Sequence, residues 1–201
     1  MTPRPDKDHQ GARKRKVPPT KRTCLVFGEG RGEEKFLKHL RNLYGPNWES
    51  NYSITISYGF GGSPCDIIKS ALDRCIGKQF DKLAVVLDSD AFADKNFADE
   101  KLAAINKLRK AHIAHYSIPH EIVPHLNSPC LEAVLLRIHA VGPRYDTCPP
   151  YKGIFKSKFG KYLDEFTDKD WGMHFSMTIL NSMSPAIPEL QELIRLMSGH
   201  W

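Results

Sequence analysis

The chain has no apolar run near the roughly 18 to 20 residues that a bilayer-spanning helix needs, which predicts a soluble protein with no membrane partner. Its first twenty residues lack the apolar middle of a secretory signal. Its five cysteines (Cys24, Cys65, Cys75, Cys130, Cys148) include no CxxC pair and leave one over. Those absences argue against a disulfide scaffold and predict a reducing, cytoplasmic location. Gly59-Phe60-Gly61-Gly62 is not followed by the Lys-Ser/Thr of a P-loop or by the spacing of a dinucleotide fingerprint, so a tight turn is the expectation there. Trp48, Trp171 and Trp201 are scattered and support no argument for base stacking. His115, His120 and His125 recur at intervals of five, which fits neither a helix face nor a common zinc spacing. Cys130 has no evident base partner and stands beside an apolar helix, as an inert thiol does.

What is present begins with a charged tail. Residues 1–22 carry eight Lys/Arg against Asp6 and Asp8, a balance of +6, and the whole chain is also +6. The remaining residues hold 21 side chains of each sign. The protein therefore reads as a balanced domain with a basic tail. Four prolines and few apolar residues in that tail predict disorder. The run Arg13-Lys14-Arg15-Lys16 suits either a sequence-blind contact with phosphates or a solubilising extension.

Beyond the tail, strands alternate with helices. Thr23–Phe27, Ser53–Tyr58 and Lys82–Leu87 are short apolar runs of the kind buried on both faces of a sheet, and Ile113–Ile118 reads as a fourth. Phe36, Leu37, Leu40, Leu43 and Tyr44 recur at helical spacing and stop at Gly45-Pro46. Ser63 and Pro64 form an N-cap and first position for a helix whose inner face is Ile67, Ile68, Ala71, Leu72, Cys75 and Ile76. Further helices are expected over 100–112, with Leu102, Ile105 and Leu108 inward, after Asn127-Ser128-Pro129, over 153–166 and over 187–198. This order predicts an α/β fold with a central parallel sheet flanked by helices, because parallel neighbours need long crossovers. The expected layout is a basic tail over 1–22, an α/β core over 23–140 and a mostly helical C-terminal extension over 141–201.

Ligands of such sheets sit at the carboxyl ends of the strands. Glu29 follows the first strand there, and Asp88 and Asp90 follow the third. Residues two apart in extended chain face the same way, and neighbouring strands lie about 4.8 Å apart, so the three converge if strands one and three are adjacent. Carboxylates that close repel unless a cation compensates, and oxygen-only ligation suits Mg²⁺ or Mn²⁺. Glu33 and Glu34, one turn into the first helix, and Glu132, opening the fourth, form a second tier. The plainer alternative is that acids after strands only cap helices or favour turns.

The segments Val26-Phe27-Gly28-Glu29-Gly30-Arg31-Gly32-Glu33-Glu34-Lys35-Phe36-Leu37 and Val85-Val86-Leu87-Asp88-Ser89-Asp90 resemble the Toprim fold of topoisomerases, DnaG-type primases and OLD-family nucleases. With Asn127-Ser128-Pro129-Cys130-Leu131-Glu132 added, the chain looks like the RloB-like branch, over roughly residues 23 to 140. It departs from that pattern at Gly32-Glu33-Glu34, where Thr commonly precedes the second Glu, and at Leu131, where an aromatic is usual. The resemblance implies Glu29 as general acid/base or first metal ligand, Glu34 or Glu33 as its partner, Asp88 and Asp90 as metal ligands, and Glu132 as a further polar residue. It also implies a lysine near the metals, for which Lys152, Lys156 and Lys158 are candidates and Lys158 the working choice. The implied activity is a Mg²⁺- or Mn²⁺-dependent nuclease acting on DNA or RNA, in a family associated with defence loci. Relatives often act beside a separate ATPase, so such a subunit and a homodimer are admitted as partners. A non-catalytic nucleic-acid-binding or effector module is the alternative.

Overall fold

A computed structural model describes residues 20–47, 50–92, 96–110, 119, 121–140 and 145–201. The expectations for most of the tail, for a strand at 113–118, and for Trp48, His115 and His120 fall outside these residues. Among them, four strands form one all-parallel sheet in the order β2-β1-β3-β4, with β1 Arg22–Gly28, β2 Tyr52–Tyr58, β3 Lys82–Asp88 and β4 Glu121–Asn127. The helices are α1 Arg31–Tyr44, α2 Pro64–Asp73, α3 Phe97–Lys110, α4 Leu131–Ile138, α5 Pro149–Phe159, α6 Asp168–His174, α7 Met177–Met183 and α8 Pro188–Met197. None of the described helices is long and apolar enough to cross a membrane.

The period-two geometry of a strand explains the continuous apolar runs. Cys24, Val26, Ala84 and Val86 enter one buried cluster, shared with α1, α4 and the helices of the C-terminal part. Leu25, Phe27, Leu83, Val85 and Leu87 enter the other, against α2 and α3. The sheet is thus the middle of three layers. The C-terminal helices belong to the first cluster: Trp171 stacks within 5.4 Å of both Phe36 of α1 and Phe175, and α8 packs on α1 and β4. Arg22, counted with the tail by composition, begins β1 and lies 4.3 Å over the Trp201 ring.

Local chemistry sets the element ends. Ser63 Oγ accepts the Asp66 N–H, with Pro64 at the first helical position, as its sequence requires. That helix stops before Ile76, which is exposed beyond it. In α3, Leu102 faces solvent, and the small Ala104 joins Leu108 against the sheet instead. The helix expected over 153–166 begins earlier and breaks at Gly160, which takes φ 75°, before a single 3-10 turn at Leu163–Glu165.

The connection from β1 to β2 runs to one side, and α2 then carries the chain back across β1 to β3. The strand order therefore reverses between β1 and β3, and a crevice opens above their carboxyl ends.

Candidate metal centre

Gly28 pairs in register with Val86, so Glu29 leaves β1 within about a residue of the level at which β3 ends in Asp88. At that point α1 comes very close to the strand. A Cβ on Gly28 would lie 2.7 Å from Glu33 Cβ, so only glycine lets Glu33 approach the sheet end. The glycine-rich turn after β2 is pinned to the same place, through Gly59 N–H to Gly28 O (3.0 Å) and Gly61 N–H to Glu29 O (3.1 Å).

Glu29, Glu33, Asp88 and Glu132 line one cleft of about 420 Å³, with Lys152, Gly61 and Tyr162 on its walls. Capping and clustering coexist here. Glu33 Oε2 accepts the Gly30 N–H (2.9 Å), and Asp88 Oδ1 accepts the Leu131 N–H at the start of α4 (3.2 Å). Each bond engages one carboxylate oxygen and leaves the other. Glu29 Oε2 is buried with no hydrogen-bond partner among the described residues.

The acids disturb one another as their crowding requires. Burial, reinforced by Glu33, Glu29, Cys148 and Glu132, pushes Asp88 up to about 9. Burial, with Glu132 and Glu29 adding, pushes Glu33 up to about 7. Glu29 is also raised, chiefly by burial; the backbone N–H of Asp88 and the charge of Lys152 oppose this, while Asp90 and Glu132 add to it. Partial burial would lower Lys152, but Cys148, Glu132, Asp88 and Cys130 outweigh it and the ammonium is held above its usual range. A cation held against these four carboxylates would relieve the repulsion directly.

No family model, curated protein or solved structure matches this chain.

Three residues expected in the site stand elsewhere. Glu34 turns along α1 to Lys38, 2.7 Å away, and does not line the cleft, so the acid beside Glu29 is Glu33. Asp90 lies in the 3-10 turn after β3, where Oδ2 accepts the Cys148 N–H (3.0 Å) and its own N–H donates to Pro129 O (3.3 Å). It fastens the loop before α5 rather than facing the cleft. Lys158 is six residues beyond Lys152 on α5, about 240° around the helix, and is exposed away from the cleft. Lys156, four residues on, stays on the Lys152 side and lies 4.2 Å over the Tyr162 ring. Of the three candidate lysines, Lys152 is the one that lines the cleft.

Two residues carried no sequence signal of any such place. Cys130 and Cys148 are both buried, and their sulfurs lie with the carboxylates of Asp88 and Glu132, all four donor atoms within 4.8 Å of one another. Eighteen residues separate them, without a motif; only the close meeting of the α4 and α5 N-termini brings them together.

Proposed function

We propose that this chain is a metal-dependent phosphodiesterase that cleaves nucleic acid, of the Toprim and RloB-like kind that its Glu-Gly and Asp-x-Asp segments resemble. The observation that carries the reading is the meeting of Glu29, Glu33 and Asp88 where the strand order reverses, with Glu29 Oε2 buried and unpartnered. Such an oxygen suits a hard cation, and free carboxylate oxygens of Glu33 and Asp88 supply partners for it. Glu29, Glu33 and Asp88 are the residues that would hold Mg²⁺ or Mn²⁺, with Glu132 behind them. When bound, the cation supplies charge stabilisation at a phosphate and an acidified water.

The chain's own groups do the rest. Lys152 sets a positive charge on the cleft wall opposite the acids, where a backbone phosphate would be held. Glu33, pushed up to about 7 by burial and its acidic neighbours, would give up its proton on taking the cation, so cation binding should strengthen as pH rises through that range. The Gly61 turn leaves backbone rather than side chain at the rim, and Phe60 beyond it is exposed.

The test is incubation of the purified protein with DNA and RNA panels, with Mg²⁺, with Mn²⁺ and with chelator, beside Glu29→Gln. Cleavage that needs the cation and falls by about 10²-fold or more in the variant is the expected result. Cleavage indifferent to the variant would sink the assignment. Salt-sensitive binding without turnover would leave the chain a nucleic-acid-binding module instead.

A further inference from the structure

Behind Asp88 and Glu132 of the cleft lining stands a chemically different pair, Cys130 and Cys148. Cys130, Glu132 and Cys148 are 0%, 8% and 6% exposed, so their donor atoms face one another in the interior. Among the described residues, the one hydrogen-bond partner of the Glu132 carboxylate is the Cys148 thiol, whose Sγ lies 3.7 Å from Oε2, a long and weak contact for a buried acid. Neither cysteine is in a disulfide.

We propose that Asp88, Cys130, Glu132 and Cys148 form a binding site for a thiophilic divalent cation of the zinc class. Their four donor atoms already lie within 4.8 Å of one another. Tetrahedral zinc, with Zn–S about 2.3 Å and Zn–O about 2.0 Å, spaces its donors by roughly 3.3 to 3.8 Å, so side-chain rotation closes the site. The supports are built from bonds that spare the donors. Asp88 gives one oxygen to the Leu131 N–H and keeps a second, and the backbone of Cys148 is tied to Asp90. Asp90, displaced from the carboxylate site, thus acts as a positioning residue here.

The two sulfurs decide the metal. Thiolates favour zinc over magnesium and manganese, by softness and by the order of stability of divalent ions. Asp88 belongs to both sites, so zinc bound to the thiols would withdraw it from a hard cation at the cleft mouth. The zinc site does not rest on the nuclease reading: a protein that cleaves nothing would still bind zinc in this way.

The experiment uses the full chain, reduced and stripped of metal by chelator, with Co²⁺ as a spectroscopic probe. One equivalent should produce the near-ultraviolet thiolate-to-cobalt band and the visible absorption of a tetrahedral ion, both removed by Zn²⁺ and not by Mg²⁺. Cys130→Ser and Cys148→Ser should each cut the thiolate band by about half or more and the double variant should abolish it, whereas Glu29→Gln should keep it. On the unmutated protein, Zn²⁺ should slow alkylation of Cys130 and Cys148 by at least about tenfold. No thiolate band, a band undiminished by Cys148→Ser in a folded protein, or thiols alkylated equally fast with and without zinc would overturn the assignment. A positive cobalt spectrum, together with no cleavage by the protein freed of cobalt and zinc and supplied with Mg²⁺ or Mn²⁺, would retain it and remove the nuclease reading.

Discussion

At the end of β1 there is no room for a side chain. The 2.7 Å separation that a Gly28 methyl would meet is to Cβ of Glu33, an atom fixed by the first turn of α1 and unable to rotate away. Gly28→Ala must therefore push helix from strand, and a destabilisation of about 1 to 3 kcal/mol is expected from such overpacking. Urea denaturation measures it, and an unchanged midpoint would mean that α1 yields freely. The two neighbouring glutamates should separate just as sharply. Glu33 faces Asp88 and Glu29, so Glu33→Gln is expected to weaken Mn²⁺ binding by about 10- to 100-fold, read by calorimetry. Glu34 is engaged with Lys38, and Glu34→Gln should leave binding within about twofold and cost under about 1 kcal/mol of stability. Sequence could not choose between them. Adjacent helical residues differ by about 100° of azimuth, and the choice depends on how α1 docks, which the close approaches at Gly28 and, from far along the chain, Leu163 set.

Elements were legible where one physical signal dominated. β1, β2, β3 and the Ser63-Pro64 start of α2 follow from apolar runs and cap chemistry that hold without knowledge of neighbours. β4 was not legible, because Pro124 and His125 sit in its middle. A proline has no N–H to give to a neighbouring strand, and β4 tolerates it where, among the described residues, it is bonded to β3 alone. The β3 end shows how an element and a site share a residue. Asp88 both terminates the strand and caps α4 through the Leu131 N–H. Asp88→Asn keeps the acceptor and loses the charge, whereas Asp88→Ala loses both. Equal loss of cation binding is expected in the two variants, with an added cost of about 1 kcal/mol in Asp88→Ala alone, read from thermal unfolding. A matching loss of stability in Asp88→Asn would mean that the charge, and not the cap, holds α4.

At the scale of the molecule, the topology does what no motif could. Glu29 and Asp88 are 59 residues apart in the chain, and their meeting needs β1 and β3 to be neighbours, with the strand order reversing between them. The same architecture folds the C-terminal helices onto the sheet, and their seam gives a test of the whole assembly. His125 of β4 is partly buried against that seam, its Nδ1 closed to solvent, without a hydrogen-bond partner among the described residues and 3.8 Å from Glu192 of α8. Burial, aided by Lys82, lowers it to about 4 from the ordinary 6.5, and Arg195 and His200 line the same recess. Between those two values the unfolded chain binds the proton that the folded one refuses, so stability is full above about pH 6.5 and falls as the pH drops toward 4. Asp88 works in the opposite sense: its raised value makes the folded form hold a proton that the unfolded form has lost, so its contribution declines as pH rises toward 9. The two are separated by comparing the protein with His125→Asn. Unfolding free energy at pH 7.5 minus that at pH 5, from urea denaturation, should be lower in the variant by up to about 2 kcal/mol at 1.36 kcal/mol per pH unit. The same pH dependence in both proteins would mean that His125 is solvated and that the α8 seam opens before the sheet does.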